Sequence, residues 1–205
     1  GWRLDVVDEL PSSFLEKLTA GAKAEKPDAL ILGEVWEDAS NKIAYEERKN
    51  YFEGDKLDSV MNYPLRDNSL AFAAGRLSAP DLRNFLLGQK LNYPKPFYYS
   101  LMNLLGSHDT DRLLTALSTD IYLRSLSREQ QMALSFSETA RSKAPALEKM
   151  LSVLQFSLPG VPSVYYGDEQ GMEGVNDPFN RRPLRLGNSD LHAHYRKLVC
   201  IRNSF

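Results

Sequence analysis

Residues 30–36 read Leu-Ile-Leu-Gly-Glu-Val-Trp, and this stretch decides the fold class. It is almost purely apolar until Glu34, which is typical of a strand buried on both faces of a parallel sheet. We therefore predict a strand over 29–35. Similar strand-like runs lie at residues 1–7, 57–62, 101–106 and 161–166.

Helical patterns separate these strands, over residues 13–24, 65–75, 80–91, 127–156 and 190–201. Ser13 and Glu16 have the spacing of a capping box, as do Ser127 and Gln130. Pro145 should divide the longest pattern into two helices, because proline cannot continue the backbone ladder. The alternation of strand and helix predicts an α/β fold with a parallel sheet, either an open doubly wound sheet or a barrel.

Composition narrows the class of protein. The 205 residues include 25 Lys and Arg against 27 Asp and Glu, a near-neutral balance that predicts no nucleic-acid partner and no membrane partner. The single cysteine, Cys200, excludes an internal disulfide and a multi-thiolate metal site. Gly-x-Gly-x-x-Gly and P-loop patterns are absent from the sequence, which weakens a nucleotide-binding interpretation.

Two carboxylates follow the first two strands. Strand alternation puts Arg3 and Asp5 on one face, where the cation keeps Asp5 ionised; a structural ion pair is the alternative. Glu34 ends an apolar strand beside a Trp, where poor solvation favours a proton donor; alternatively it emerges into solvent. The two acids are 29 residues apart, about one βαβ repeat, which predicts the same end of neighbouring strands. A glycosidase needs such a pair.

Two later strand ends carry further polar and aromatic residues. His108 and Asp109 follow the fourth strand, and His108 is open to roles as a metal ligand, a general base or a donor to sugar hydroxyls. Tyr165 and Tyr166 end the fifth strand, as a stacking surface for sugars or as core aromatics. The polar loop 176–183, which contains Arg181, is either substrate-facing or a surface connection.

Four blocks in order resemble the signature blocks of the α-amylase superfamily, glycoside hydrolase family 13. The blocks are Gly-Trp-Arg-Leu-Asp (1–5), Gly-Glu-Val-Trp (33–36), Leu-Leu-Gly-Ser-His-Asp-Thr (104–110) and Gly-Val-Pro-Ser-Val-Tyr-Tyr-Gly-Asp-Glu (160–169). The stretch Ser-Val-Met-Asn-Tyr-Pro (59–64) also resembles the family's sixth barrel strand. Asp8-Glu9 resembles the Asn-Glu of neopullulanases, cyclomaltodextrinases and maltogenic amylases, with Asp8 as a departure.

The resemblance implies the C-terminal part of a TIM (β/α)8 barrel, strands four to eight with their helices. It also implies a retaining hydrolase of α-1,4-glucosidic bonds in starch-derived oligosaccharides, cyclodextrins or pullulan. Asp5 would be the nucleophile, Glu34 the general acid/base and Asp109 the stabiliser of the transition state. The implied substrate contacts are Arg3, Glu9, Trp36, His108, Tyr166 and Arg181.

Further expectations concern what residues 1–205 leave out. The family's first barrel half and its C-terminal β-sandwich are expected to be absent, so that the chain alone is inactive and forms a homo-oligomer or pairs with the other half. We expect no cofactor in this chain, with calcium expected only as a possible ligand of the intact parent enzyme. We also expect a cytoplasmic location. The alternatives are an α-glucosidase or isomaltase, a sugar isomerase, or a non-catalytic interaction fragment.

Overall fold

The five predicted strands are present and each is shorter than its apolar run. The computed structural model describes residues 1–119, 121, 123–187 and 189–204. In it the predicted strands form as β1 (Trp2–Leu4), β2 (Ile31–Gly33), β5 (Ser59–Val60), β6 (Met102–Leu104) and β7 (Val161–Ser163). The flanking residues continue the chain toward the turns where the acidic residues lie.

The strands of the three-stranded sheet pair in parallel, as predicted. In the sheet β1-β2-β5, Leu4 is in register with Gly33, and Gly33 in turn with Val60. A parallel bridge joins Met61 to Met102, and β6 pairs with β7. The carboxyl ends of neighbouring strands in β1-β2-β5 therefore lie at one edge of the sheet.

A short antiparallel hairpin was not predicted. Its strands are β3 (Ile43–Ala44) and β4 (Glu47–Arg48), in which Ile43 pairs with Arg48 and Ala44 with Glu47. The turn residues Tyr45 and Glu46 have φ angles of 54° and 62°. Sequence patterns missed this hairpin because its turn lacks the Asn-Gly or Asp-Gly pair that usually marks such a connection.

Helices occupy all the predicted positions, with two corrections. The first is the capping box of Ser13 and Glu16, which was wrong: the helix begins at Ser12, with Pro11 as its N-cap and no side-chain cap. Ser13 lies inside the first turn and is past the capping position. The helices are α1 (Ser12–Glu25), α2 (Tyr63–Ala73), α3 (Ala79–Asn92), α4 (Lys95–Ser100), α5 (Leu113–Ala116), α6 (Arg128–Met132), α7 (Glu138–Ser157) and α8 (Ser189–Arg202).

The second correction concerns Pro145, which does not divide two helices. It lies inside α7, and the break falls upstream, where Ser137 accepts a hydrogen bond from Ala140 N and starts the helix. The capping box of Ser127 and Gln130 is confirmed at the start of α6. None of the helices among the described residues is long and apolar enough to cross a membrane.

The described chain divides into two compact units. One consists of Gly1–Leu65, Pro80–Asn103 and Pro159–Val161, and the other of Arg66–Ala79, Leu104–Leu158 and Pro162–Phe205. The core of the first unit includes Ile31, Tyr51, Leu57 and Phe97. The second contains one cluster around Leu105, Leu113 and Leu151 and another around Phe156, Tyr195 and Leu198.

Candidate active site

Asp5 and Glu34 leave the sheet at the same edge. Each is the next residue after the register pair Leu4 and Gly33 on the parallel strands β1 and β2. Glu34 N donates a hydrogen bond to Leu4 O at 3.0 Å, which continues the ladder by one step. The prediction that a spacing of one βαβ repeat places these two acids at the same end of neighbouring strands is confirmed.

One guanidinium contacts both carboxylates. Arg3 Nη1 donates to Asp5 Oδ1, and Arg3 Nη2 lies 3.1 Å from Glu34 Oε1. The side chain of Asp5 is 71% exposed, whereas that of Glu34 is 4% exposed. Burial acts to lower the pKa of Arg3, but its hydrogen bond to Asp5 and the charges of Glu34 and Asp5 outweigh burial and raise it. Arg3 is therefore a fixed positive charge between a solvated acid and a buried one.

The backbone also holds Glu34. Val6 N donates to Glu34 Oε2 at 2.8 Å, while Oε1 forms the ion pair with Arg3 Nη2. Val6 has φ 40° and ψ 51°, a left-handed conformation that β-branched residues rarely adopt. Such strain persists only where the surroundings fix it, and it is frequent at functional sites. Glu34 does not emerge into solvent, which removes that alternative.

Trp36 lies two residues beyond Glu34 and stacks on Tyr63. The ring centroids are 4.0 Å apart and the planes are 10° from parallel. Tyr63 is buried at 1% exposure, whereas Trp36 is half-buried. Trp36 thus has a rigid aromatic support at the strand end that carries Glu34.

Asp8 and Glu9 connect the turn after Asp5 to the hairpin β3–β4. Asp8 accepts from Tyr51 Oη and lies 3.0 Å from Lys42 Nζ. Glu9 accepts from the hydroxyl of Tyr45, and this hydrogen bond raises the pKa of Tyr45. Glu9, predicted as a substrate contact, therefore also positions an aromatic ring that sequence reasoning missed.

A second polar group is built around Asp109. His108 Nε2 lies 2.9 Å from Asp109 Oδ2, and Arg181 Nη2 lies 3.2 Å from Asp109 Oδ1. Arg181 Nε also lies 2.8 Å from Asp177 Oδ1. The loop 176–183 is thus more than a surface connection, because it brings Arg181 to the predicted acid.

Asn180 holds the turn that carries this group and was missed from sequence. It is fully buried, and its Nδ2 lies 2.7 Å from His108 O, 2.6 Å from Thr110 O and 3.5 Å from Ser107 O. Arg112 Nε donates in turn to Asn180 O at 2.9 Å. An amide in a polar loop gives no sequence signal that it is buried, which is why it escaped notice.

Tyr166 packs beside a buried cation. The Cζ atom of Arg112 lies 4.7 Å from the ring centroids of both Tyr165 and Tyr166, and the hydroxyl of Tyr166 donates to Arg182 O at 2.7 Å. Arg112 is fully buried and lies 3.3 Å from the buried carboxylate of Asp168. Tyr166 is 40% exposed, so it is partly a core aromatic and partly surface.

The histidines have separate partners. His192 Nδ1 lies 2.8 Å from Gln170 Nε2, and His194 Nε2 lies 2.9 Å from Ser152 Oγ. In the part of the chain that the structure describes, no three His, Cys, Asp or Glu side chains are grouped so that they could hold a metal ion. His108 is placed as a polar partner of Asp109.

Comparison with known proteins places this geometry in context. The family model for the alpha amylase catalytic domain matches residues 1–198. A cyclomaltodextrinase from Geobacillus thermopakistaniensis is 36% identical over 210 residues, covering 100% of this chain and 30% of its own length. An amylopullulanase from Thermoanaerobacter thermohydrosulfuricus is 36% identical over 216 residues, covering 99% of this chain and 13% of its own length.

Solved structures of glycoside hydrolases superpose on this chain over its full length. The ligand-free cyclic alpha-maltosyl-(1→6)-maltose hydrolase from Arthrobacter globiformis superposes with a TM-score of 0.80 at 29% identity, covering 100% of this chain and 40% of that one. This chain therefore spans less than half the length of these relatives. The parallel sheet and its helices are part of a TIM barrel, which excludes the open doubly wound alternative.

Proposed function

The chain belongs to the α-amylase catalytic-domain family, and on that premise we propose that it carries the catalytic carboxylates of a retaining α-1,4-glucosidic hydrolase. One observation carries the proposal: Arg3 contacts both Asp5 and Glu34, one exposed and one buried. The proposed substrates are starch-derived oligosaccharides, cyclodextrins or pullulan, which the names of the relatives support.

The proposed reaction is a double displacement. An oxygen of Asp5 bonds to the anomeric carbon while the glycosidic C–O bond breaks, and Glu34 gives its proton to the leaving oxygen. Water then attacks the glycosyl-enzyme, Glu34 takes a proton from it, and Asp5 leaves as the free carboxylate. The roles suit the two environments, since a nucleophile must be accessible to the anomeric carbon, as the exposed Asp5 is, whereas Glu34 is held in place by Val6 N and Arg3.

The proposed role of Asp109 is to accept hydrogen bonds from sugar hydroxyls and to stabilise the positive charge of the transition state. His108 and Arg181, which flank its two oxygens, orient it and offer donors to the same hydroxyls. Trp36 and Tyr166 are proposed as partly exposed aromatic contacts for the substrate. This chemistry uses carboxylates alone and needs no cofactor.

We place β1, β2, β5, β6 and β7 as strands four to eight of the barrel. The order of signature blocks supports this placement, because the carboxylates of the first two blocks end β1 and β2 and Asp109 follows β6. The placement also explains why Asp5 and Glu34 lie on neighbouring strands.

The test replaces the two acids in the full-length natural protein and measures hydrolysis of cyclodextrin, pullulan and starch. We expect Asp5→Asn to lower kcat by about 10⁴-fold or more, because loss of a nucleophile removes the covalent route. For Glu34→Gln we expect kcat to fall as far on these substrates. On an aryl maltoside with an acidic phenol kcat should fall much less, because the phenol leaves without needing a proton.

Asp28→Asn is the matched control, since Asp28 is an exposed aspartate of the same unit. It should leave hydrolysis unchanged. Activity that survives Asp5→Asn would refute the assignment of the nucleophile. Products that are only glucose or an isomerised sugar would favour the α-glucosidase or isomerase alternatives, and a wild type inactive on every glucan would favour the non-catalytic one.

A further inference from the structure

The turn of the hairpin β3–β4 holds a large aromatic residue in an unusual backbone conformation. Tyr45 and Glu46 both have positive φ, the pattern of a two-residue hairpin turn that normally selects Asn or Gly. Side chains as large as those of Tyr45 and Glu46 are strained in the left-handed region of backbone conformation. The surroundings must therefore hold the turn in place, and strain of this kind is concentrated at ligand clamps and active sites.

The contacts that hold it come from the turn after Asp5. Lys42 Nζ lies 3.0 Å from Asp8 Oδ2, and Lys49 N donates to Lys42 O at 2.9 Å, which fixes the base of the hairpin. The hydroxyl of Tyr45 donates to Glu9, which fixes the tip. Asp8 and Glu9 are three and four residues past Asp5, so the hairpin is tied to the segment that carries the proposed nucleophile.

The tip exposes apolar surface despite these contacts. Tyr45 is 70% exposed although its hydroxyl is engaged, and Ile43 is 68% exposed. Ile43 lies on β3 and Tyr45 in the turn that follows it, so both exposed side chains belong to the same end of the hairpin. The exposed ring contributes little to a core, and burial does not explain why the chain accepts the strained turn.

An exposed ring with a carboxylate at its edge matches the chemistry of a glucose unit. The C–H face of the sugar packs on an aromatic face, and its hydroxyls donate to carboxylates, which is the usual combination of apolar lining and a few placed polar groups. Here Tyr45 supplies the ring and Glu9 the carboxylate.

We propose that Tyr45, positioned by Glu9, is a stacking platform for a glucose unit remote from the bond that is cleaved, and that it sets the preference for longer glucan chains. The proposal rests on the proposed function and adds a binding position to it. Ile43 adds a second exposed apolar side chain to the hairpin, so that a chain rather than a single sugar is the ligand.

The experiment compares maltohexaose with an aryl maltoside as substrates of the full-length natural protein. Tyr45→Ala should lower kcat/KM for maltohexaose about tenfold, mainly through KM, and change the aryl maltoside less than twofold, because one stacked ring contributes about 1.4 kcal/mol. Tyr45→Phe keeps the ring and loses its bond to Glu9, so it should lose two- to threefold. Tyr99→Ala, at an exposed tyrosine of α4 in the same unit, should change neither.

Three results would overturn the proposal while leaving the proposed function intact. They are an unchanged kcat/KM for maltohexaose in Tyr45→Ala, an equal loss on both substrates in that variant, and a loss as large in Tyr99→Ala. If the wild type hydrolyses nothing, the proposed function fails, and maltohexaose binding by calorimetry decides the platform separately. Binding about tenfold weaker in Tyr45→Ala supports it, whereas equal binding or no binding to the wild type overturns it.

Discussion

The acidic group after β1 and the acidic group after β6 are built in different ways. Asp5 and Glu34 are placed by the register of two parallel strands and joined by one cation, Arg3. Asp109 lies on a turn whose carbonyls are held by the buried amide of Asn180, and its oxygens meet side chains from its own turn and from a distant loop. A sheet fixes the first group, whereas loop-to-loop hydrogen bonds fix the second.

The largest expected effect breaks the second group. Asn180→Ala removes the Nδ2 group that donates to the carbonyls of His108 and Thr110. A buried carbonyl left without a donor costs about 1–3 kcal/mol. We expect the free energy of unfolding to fall by about 3 kcal/mol, and kcat on starch to fall about 100-fold because Asp109 loses its position. Chemical denaturation and steady-state kinetics measure the two effects.

Asn203→Ala serves as the control for that change, because Asn203 is exposed at the end of α8 in the same unit. It should alter neither quantity. If Asn180→Ala were as stable and as active as wild type, the turn would be held by the backbone alone, and the contrast between the two groups would disappear.

The contrast also explains what could be predicted from sequence. Asp5 and Glu34 were found because the length of a βαβ repeat converts sequence spacing into spatial neighbourhood. Arg3 was found because strand alternation has a fixed period. Asn180 was missed, since whether a polar loop residue is buried depends on a tertiary contact 70 residues away.

The wrong prediction at Pro145 and the missed hairpin β3–β4 have the same origin, namely contacts between residues distant in sequence. Pro145 was expected to end a helix, but tertiary packing keeps it inside α7, where Ala144 is fully buried. The hairpin β3–β4 was missed because contacts distant in sequence hold it, from Glu9 to Tyr45 and from Asp8 to Lys42, and not the turn preferences of its own residues. Local patterns predicted the strands and the first acidic pair, whereas long-range contacts decided the rest.

A change at Arg3 is expected to affect chemistry more than stability. Arg3→Lys keeps the charge, but a compact ammonium cannot contact Asp5 and Glu34 through two separate nitrogens as the guanidinium does. We expect kcat/KM to fall about 30-fold and the free energy of unfolding to change by less than about 1 kcal/mol, since Arg3 is partly exposed.

The pH–rate profile distinguishes this effect from a folding defect. The acidic limb should move to higher pH in Arg3→Lys, because a carboxylate with a weaker cationic contact takes up a proton more readily. Arg48→Lys, at an exposed arginine of β4, should leave the profile in place. A stability loss as large as that of Asn180→Ala would show that the first group is structural as well.

The last expected effect is on stability alone and concerns Glu148, a buried acid that has no cation beside it among the described residues. Glu148 in α7 is as buried as Glu34, but its Oε1 meets the hydroxyl of Tyr195 at 3.2 Å, and its Oε2 has no hydrogen-bond partner among the described residues. Burial, followed by the charge of Asp168, raises the pKa of Glu148 to about 8. Glu34 has the cation of Arg3 beside it, whereas Glu148 is left to hold its proton.

The pH dependence of stability follows from that difference. The unfolded chain releases the Glu148 proton near pH 4.5, and the folded chain keeps it until about pH 8, so the folded state binds more protons between these values. Stability therefore decreases as pH rises through this window. Glu148→Gln removes the contribution and keeps an acceptor for Tyr195, so its melting temperature should exceed that of wild type by roughly 10 °C at pH 8 and match it at pH 4. Burial raises the pKa of Asp168 to about 7, so Asp168 adds a decrease in stability of the same sign, and this decrease remains in the variant.

The control is Glu25→Gln, at an exposed glutamate of α1, which should follow wild type at both pH values. If the melting temperature of Glu148→Gln ran parallel to that of wild type across this pH range, Glu148 would be ionised in the folded state.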